Sequence, residues 1–358
     1  ALIHSEKRAR YMSAAEKPLH GNAINPHRWI DSDELGYCLR SIELNAPWIR
    51  RVWIITDDQQ PRLTKLSSAF RAKISIIDHS EIFAGYDHVL PTFNSISIET
   101  MLWRISGLAE RFLYFNDDVF VTTPVKPADF FTPEGPVLRG HWADHGDLEH
   151  CAIKRSEVSL LNHFNQIKSA ALMGYGADHI FLSAHVVHPM LRSVMEKLFA
   201  EHRDGFLENM AHRFRCTEQF LPQALHNHAC IRDGSAAILD RLDHLHLPVG
   251  LFDDRTVDQV RADVGAAASP AIKFLCINDL PMLEHHIGDV RDLEKLSGVI
   301  QSFRPDFVFH LAAQAIVSVS YEDPLETITS NVIGTANVME ALRKVDWRCN
   351  AVIITSDK

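Results

Sequence analysis

The chain has 358 residues, which predicts two domains because a single domain usually holds about 100–200 residues. Hydrophobic residues make up 46% and charged residues 23% of the sequence, which excludes a disordered chain and a fibrous repeat. The net charge of −10, with Lys and Arg scattered along the chain, argues against a nucleic-acid partner.

Neither a membrane anchor nor a disulfide framework is expected. No apolar run reaches the roughly 18 residues that a membrane-spanning helix needs. The six cysteines lie far apart and form no C-x-x-C pair, which predicts a reduced, cytoplasmic protein. The first residues show no signal peptide and no initiator Met, so we expect that residue 1 is not the natural start of the protein.

The first half of the chain alternates predicted helices and strands. Leu35, Leu39 and Ile42 have the spacing of one helix face, in a helix that stops before Pro47. Residues 95–108 also have helical spacing. β-Branched runs predict strands at residues 51–56, 73–78 and 112–115. This alternation predicts an α/β fold whose sheet is at least partly parallel.

The second half is predicted to be more helical, with a change of character near residue 285. Residues 156–250 are interpreted as a mainly helical insertion, with helices at 156–167, 188–199 and 218–228. A strand at 272–277 follows and ends in Asn278 and Asp279. Two helix–strand units come next, with helices reaching residue 299 and covering 331–345, and strands at 306–311 and 351–355.

The cluster Asn116-Asp117-Asp118 follows a predicted strand. Adjacent carboxylates at the end of a strand suit a divalent cation, which can bridge two phosphates. The spacing alone equally fits an Asp-rich turn, and the pair Asp57-Asp58 favours the turn interpretation.

His185 and His188 lie three residues apart and could share one helix face as metal ligands. Considered alone, the pair is more typical of surface or packed histidines. Arg215, considered alone, is typical of a surface charge.

These residues belong to a longer pattern that resembles the Stealth family. The second conserved block of that family is similar to residues 28–50, 52–56, 90–99, 104–108 and Phe112-Leu-Tyr-Phe-Asn-Asp-Asp-Val-Phe120. The third block resembles Ala184-His-Val-Val-His188 together with Arg215, and the fourth resembles Lys273-Phe-Leu-Cys-Ile-Asn-Asp279. A first block of the form Tyr-Thr-Trp-Val-Asp-Gly is missing from this sequence.

The Stealth family comprises capsular polysaccharide phosphotransferases and the animal lysosomal-enzyme N-acetylglucosamine-1-phosphotransferase. The resemblance implies transfer of a hexose-1-phosphate from a nucleotide sugar to a sugar hydroxyl of a polysaccharide, forming a phosphodiester. It implies a nucleotide-sugar-binding α/β domain over residues 1–283 that contains the helical part near 156–250.

The same resemblance implies roles for individual residues. A divalent metal, Mg²⁺ or Mn²⁺, would bind Asp117 and Asp118, with Asp279 a further active-site carboxylate beside it. Arg215 would stabilise the transferred phosphoryl group and His185 would be the general base.

Four more residues are predicted to support this chemistry. By the same resemblance, His188 would orient the site or pack beneath it. Asn94 and Glu99 would position the sugar or organise the loop before Asn116, which is itself a predicted substrate contact.

Residues 285–358 resemble an extended short-chain dehydrogenase/reductase, most closely the CDP-glucose 4,6-dehydratases. The resemblance implies a partial Rossmann-like unit with NAD-type positions at Asp289, Val290, Ala312 and Ala313. A Gly-rich phosphate turn and the Tyr-x-x-x-Lys pair are missing, so we expect no tight NAD binding. Three alternatives stay open: an NAD-dependent sugar-nucleotide dehydratase, a metal-dependent glycosyltransferase and an inactive fusion fragment.

Overall fold

The computed structural model describes residues 2–15, 17–25, 33–247, 259, 262, 265–278, 289–310, 321 and 323–353. The chain divides into two compact units, residues 1–281 and residues 282–358. Helices and strands are mixed in both units, so the predicted α/β class is confirmed at that level.

The first unit contains eleven α-helices with described bounds, besides short 3₁₀ helices. They are α1 (Leu2–Ser13), α2 (Gly21–Ile24), α3 (Glu34–Asn45), α4 (Ser68–Arg71), α5 (His79–Ile82), α6 (Ser95–Glu99), α7 (Gly146–Glu149), α8 (Leu161–Leu172), α9 (Arg192–Glu201), α10 (Arg203–Ala211) and α11 (Pro222–Arg232). The longest of these have 12 residues. Across the described ranges of the whole chain, no helix is long and apolar enough to cross a membrane.

Eleven strands in the described part of this unit form small sheets. They are β1 (Val52–Thr56), β2 (Ile74–Asp78), β3 (Arg111–Tyr114), β4 (Val119–Val121), β5 (Val137–Leu138), β6 (Gly140–Ala143), β7 (Ile180–Ser183), β8 (His188–Leu191), β9 (Ala237–Ile238), β10 (His244–Leu247) and β11 (Phe274–Ile277). The parallel pairs are β1–β2, β5–β9 and β10–β11, and the antiparallel pairs are β3–β8, β4–β11 and β6–β7. All residues of β1 and β3 line one cavity.

The central core packs α3 against β1 and β4. Leu39 and Ile42 of α3 are buried with Ile54 of β1 and Val121 of β4 in one apolar cluster. The helix face predicted from the spacing of these residues is therefore confirmed, and α3 ends at Asn45, before Pro47. Burial of each such side chain contributes about 1.5–3 kcal/mol, so this layer anchors the strands that lead to the acidic cluster.

The mainly helical insertion predicted for residues 156–250 is not confirmed in detail. Strands β7 to β10 lie within it, and the helix predicted at 188–199 begins only at Arg192. Pro189 explains the difference, because a residue before proline favours extended backbone and proline cannot donate the helical hydrogen bond. His188 to Leu191 consequently form strand β8, paired with β3. His185 and His188 therefore do not share a helix face, and the buried His188 fits the alternative of a packed histidine.

The second unit is a smaller α/β arrangement. Its described elements are α12 (Leu293–Phe303), β12 (Phe307–His310), α13 (Pro324–Ile328), a π-helical turn (Thr329–Ile333), α14 (Gly334–Arg343) and β13 (Asn350–Ile353). Strands β12 and β13 are parallel, and α12 contacts α14. The predicted helices and strands of this part are present, while its assignment as Rossmann-like stays a prediction.

A buried ion pair joins two parts of the first unit. Arg139, between β5 and β6, donates to both carboxylate oxygens of Asp243 at 2.8 Å, and both side chains are 2% exposed. Arg139 also donates to the carbonyl oxygen of Asp129 and stacks over the ring of Phe274. Burial alone would raise the pKa of Asp243, but the neighbouring His244 and the hydrogen bonds and charge of Arg139 outweigh it and lower the pKa.

Replacement of one residue of this ion pair should therefore lower the free energy of unfolding. We expect Asp243→Asn to lower the free energy of unfolding by about 3–5 kcal/mol, because Arg139 then keeps a buried charge without a counter-ion. The measurement is urea unfolding followed by circular dichroism. The matched control is Glu196→Gln, which breaks the exposed pair with Arg192 and should cost less than about 1 kcal/mol. Equal, small effects of the two variants would contradict the structural role of the buried pair.

Candidate active site

The acidic cluster lies in the turn between β3 and β4. These strands belong to different sheets, since β3 pairs with β8 and β4 pairs with β11. The turn closes when Val119 N–H donates to the carbonyl oxygen of Asn116. Asp117 is exposed, whereas Asn116 and Asp118 are half-buried. The cluster is thus presented to solvent from a rigid strand-to-strand connection.

His185 lies beside this cluster, in the loop between β7 and β8. Asn116 Nδ2 donates a hydrogen bond to His185 Nε2 at 2.7 Å. Asp118 Oδ1 is 3.8 Å from the same nitrogen. The backbone of this loop is fixed because Ala184 N–H donates to the carbonyl oxygen of Arg139 at 2.9 Å. The structure therefore brings together three predicted site residues that are separated by almost 70 positions in the sequence.

The half-buried Tyr114 connects Glu99 to the same cluster. The Tyr114 hydroxyl donates to Glu99 Oε1 at 2.8 Å, and Asn116 Oδ1 is the alternative acceptor for the same proton. Glu99 is 6% exposed, and its Oε2 has no hydrogen-bond partner in the described structure. Burial, followed by the charge of Glu99, raises the pKa of Tyr114, so its hydroxyl stays protonated. Sequence analysis missed Tyr114, because a Tyr inside an apolar strand has the pattern of a core residue.

His188 lies under the cluster. It is the register partner of Tyr114 in the β3–β8 pair, and the two rings stack at a centroid distance of 6.2 Å. Burial, followed by the charges of His185 and His226, lowers the pKa of His188 to about 3. His188 is therefore a neutral, buried ring, which fits the packing role among the two predicted for it.

Asn94 and Arg215 both form hydrogen bonds with α6, the helix that carries Glu99. Asn94 is the N-cap of α6 and is buried, and its Nδ2 donates to Gln219 Oε1 and to the carbonyl oxygen of His212, both at 2.8 Å. These contacts fit the organising role predicted for Asn94. Arg215 donates to the hydroxyl of Ser95, and its charge acts on Tyr114 to lower the phenol pKa. Arg215 thus lies near the cluster, on the α6 side.

The donor atoms beside Asp118 fit a hard divalent cation. Asp118 Oδ2 accepts a hydrogen bond from Asn278 Nδ2 at 2.5 Å, so the end of β11 meets the acidic turn. Two carboxylates and an amide oxygen are ligands that Mg²⁺ and Mn²⁺ prefer. Asp279, the further predicted active-site carboxylate, lies outside the described residues.

Two further residues approach His185 that sequence analysis did not select. His246 of β10 and Cys276 of β11 are register partners, and their ligand atoms and that of His185 lie within 4.8 Å of one another. His246 is exposed and Cys276 is buried. Burial, then the charges of Asp118 and Asp117, raises the pKa of the Cys276 thiol. The sequence did not indicate this pair, because 30 positions separate His246 from Cys276.

The predicted NAD-type positions are described only in part. Asp289 pairs with Arg291, whose hydrogen bonds lower the pKa of that carboxyl to about 2. The carbonyl oxygen of Val290 accepts from Asn337 Nδ2 at 3.1 Å. Ala312 and Ala313 lie outside the described residues. The cofactor roles of these four residues stay predictions.

Comparison with known protein families supports both resemblances, each for a different part of the chain. Residues 28–138 match the family model described as Stealth protein CR2, conserved region 2. The chain carries a Stealth conserved region. This region contains Asn94, Glu99 and the acidic cluster. Residues 274–357 match a second family model, described as GDP-mannose 4,6 dehydratase, so the resemblance of the C-terminal part to sugar-nucleotide dehydratases is confirmed as well.

Several curated proteins are similar to the Stealth part. An exopolysaccharide phosphotransferase of Streptomyces coelicolor is 34% identical over 298 residues, covering 83% of this chain and 48% of that protein. The exopolysaccharide phosphotransferase cps2G of Lactiplantibacillus plantarum is 31% identical, covering 59% of this chain and 66% of that protein. The capsular polysaccharide phosphotransferase LcbA of Aeromonas hydrophila is 35% identical, covering 54% and 52%. The chain spans about half the length of the first of these relatives.

The Tyr114 hydroxyl is expected to stabilise the site measurably. We expect Tyr114→Phe to lower the free energy of unfolding by about 1–3 kcal/mol, because the buried Glu99 carboxylate then loses its donor. Chemical denaturation provides the measurement. Tyr86→Phe is the control, because the Tyr86 hydroxyl makes an exposed contact with Arg203, and this variant should stay within about 0.5 kcal/mol of the parent. Tyr114→Phe and Tyr86→Phe with the same stability would refute the proposed coupling between Tyr114 and Glu99.

Proposed function

We propose that this chain transfers a hexose-1-phosphate from a nucleotide sugar to a hydroxyl of a surface or capsular polysaccharide. One observation carries the proposal: His185 meets Asp118 at the Asn116 turn, which belongs to the Stealth conserved region matched over residues 28–138, and Arg215 lies nearby. The names of the curated relatives support the same reaction class. In this reaction the acceptor oxygen forms a bond to phosphorus, the bond between the two phosphates breaks, and a nucleoside monophosphate leaves.

His185 would accept the proton of the attacking hydroxyl. Because Nε2 accepts from Asn116, the neutral ring carries its proton on Nδ1 and its lone pair on Nε2. A sugar hydroxyl that replaces Asn116 as the donor would then transfer its proton to Nε2. Asp118, 3.8 Å from that nitrogen, would stabilise the imidazolium that forms.

Arg215 and a metal would balance the phosphate charges. The guanidinium of Arg215 is a planar cation that can bind two oxygens of the transferred phosphoryl group. Asp117 and Asp118 would hold Mg²⁺ or Mn²⁺, which when bound neutralises the diphosphate and stabilises the leaving group. Glu99, Tyr114 and Asn94 would keep the turn and α6 in place while substrates bind.

The proposal also covers the cellular compartment of the reaction and the cofactor binding of residues 285–358. We place the reaction in the cytoplasm, and the six free cysteines support a reducing environment. For residues 285–358 we expect no tight NAD binding, because the sequence lacks the Gly-rich turn that holds a pyrophosphate.

The position of an isotopic phosphorus label tests the reaction type. The purified chain is incubated with Mg²⁺, an oligosaccharide acceptor and a panel of nucleoside diphosphate hexoses labelled at the phosphate next to the sugar. We expect label in the oligosaccharide, in a phosphodiester visible by phosphorus NMR. Label that stays in a nucleoside diphosphate while the sugar moves would identify a glycosyltransferase instead. No transfer from any donor would also overturn the proposal.

His185→Ala tests the proposed base. We expect turnover to fall by about 10²–10⁴-fold with an unchanged melting temperature, because the acceptor proton then has no positioned base. His150→Ala is the control, since the His150 side chain is 87% exposed and should leave turnover unaltered. Parental turnover in His185→Ala would remove His185 from the mechanism.

A further inference from the structure

Three ligands of soft character meet beside the proposed base. The ligand atoms of His185, His246 and Cys276 lie within 4.8 Å of one another. We propose that these residues form a binding site for a borderline cation such as Zn²⁺, separate from the carboxylate site for Mg²⁺ or Mn²⁺. Two imidazoles and a thiolate are zinc ligands, whereas Mg²⁺ binds oxygen and rarely accepts such a set.

Strand pairing positions two of the three ligands of this site. His246 and Cys276 face each other in the register of the parallel strands β10 and β11, so their side chains emerge next to each other on one face. Cys276 is buried, His246 is exposed and His185 is half-buried, so the site opens to solvent on the imidazole side. Three protein ligands and an open side leave the fourth zinc position to water.

A partner of His246 orients its ring. His246 Nε2 is hydrogen-bonded to the side-chain oxygen of Asn278, so Nε2 donates its proton and the lone pair lies on Nδ1. Outer hydrogen bonds of this kind fix the tautomer of metal-binding histidines. The rings of His185 and His246 lie 5.4 Å apart at 61°, an arrangement in which both can direct a nitrogen to one ion.

The distances between the three ligand atoms and the charges around them both permit Zn²⁺ binding. Zn–N and Zn–S bonds of roughly 2.0 and 2.3 Å place tetrahedral ligands about 3.5 Å apart, so ligand atoms that lie within 4.8 Å of one another need to approach by at most about 1.3 Å. The two histidines are the accessible members and can move toward the buried sulfur. Asp117 and Asp118 act on Cys276 through their negative charge, and the same field favours a dication there. Binding releases one proton from the thiol to solvent.

A consequence for catalysis rests on the proposed function. Zinc bound to His185 would occupy the lone pair that accepts the proton of the sugar hydroxyl. We therefore expect Zn²⁺ to inhibit transfer even when Mg²⁺ is saturating, because the two cations occupy different ligands.

Cobalt titration tests the site without any enzymatic assay. Co²⁺ added to the purified full chain should give a thiolate-to-metal charge-transfer band and the intense visible bands of four-coordinate cobalt, and Zn²⁺ should displace it. Cys276→Ser should abolish the charge-transfer band, and His246→Gln should weaken binding by at least about tenfold. Because His246 is exposed, the second variant keeps the test valid if the first is unstable.

The control variant addresses adventitious binding. Cys216 Sγ lies 3.4 Å from His212 Nδ1, so this pair is an alternative thiol–imidazole site among the described residues of the first unit. Cys216→Ser should leave the cobalt spectrum unchanged. A band that persists in Cys276→Ser and disappears in Cys216→Ser would overturn the proposal, and so would the absence of any charge-transfer band.

The inhibition assay then separates this inference from the proposed function. For each variant, transfer with Zn²⁺ is divided by transfer without Zn²⁺, and we expect a ratio near one for Cys276→Ser and well below one for the parent. Transfer without a cobalt site would refute only the zinc inference. A cobalt site in a chain without transfer would refute only the proposed reaction. Parental inhibition in Cys276→Ser would refute the regulatory consequence.

Discussion

The ion pair between Arg139 and Asp243 is the interaction on which the site geometry depends. The two buried charges stabilise each other because Arg139 Nε and Nη2 donate to both carboxylate oxygens of Asp243, and Nη2 also donates to the Asp129 carbonyl oxygen. The Asp243 carbonyl oxygen accepts from the N–H of Lys273, just before β11, and the Arg139 carbonyl oxygen accepts from Ala184, just before His185. One pair thus fixes the His185 loop relative to the strands that carry His246 and Cys276.

A second, neutral network supports the opposite side of the site. Asn94, Ser97 and Gln219 are fully buried and hydrogen-bonded to one another or to the backbone near α10. In a region of low dielectric, a hydrogen-bond network in which the donors and acceptors are paired is rigid. Loss of one hydrogen bond from such a network lowers the stability of the fold. This network holds α6, and α6 presents Glu99 to Tyr114. The exposed carboxylate of Asp117 therefore extends from an ordered base, which is the arrangement that charge stabilisation in catalysis requires.

The sequence predicted individual strands and helices better than it predicted which residues contact each other in the fold. The β-branched runs gave β1, β2 and β11, because strand preference is a local property. The helix expected to begin at His188 begins only at Arg192, because Pro189 favours extended backbone before it. His246 and Cys276 could not be selected, since they meet through strand register across 30 positions. Arg139 and Asp243 are 104 positions apart, and only the tertiary fold shows that they pair.

Strands β1 and β3 also have a consequence for the behaviour of the chain in solution. Within the described residues, β1 pairs only with β2 and β3 only with β8, and both strands line one cavity. Among the described residues, the other edge of each strand therefore has no ladder partner. The sequence of β1, Val-Trp-Ile-Ile-Thr, carries no charge that would discourage another strand from adding there. An uncharged edge of this kind can accept an added extended strand by main-chain hydrogen bonds, which dissolved salt screens little.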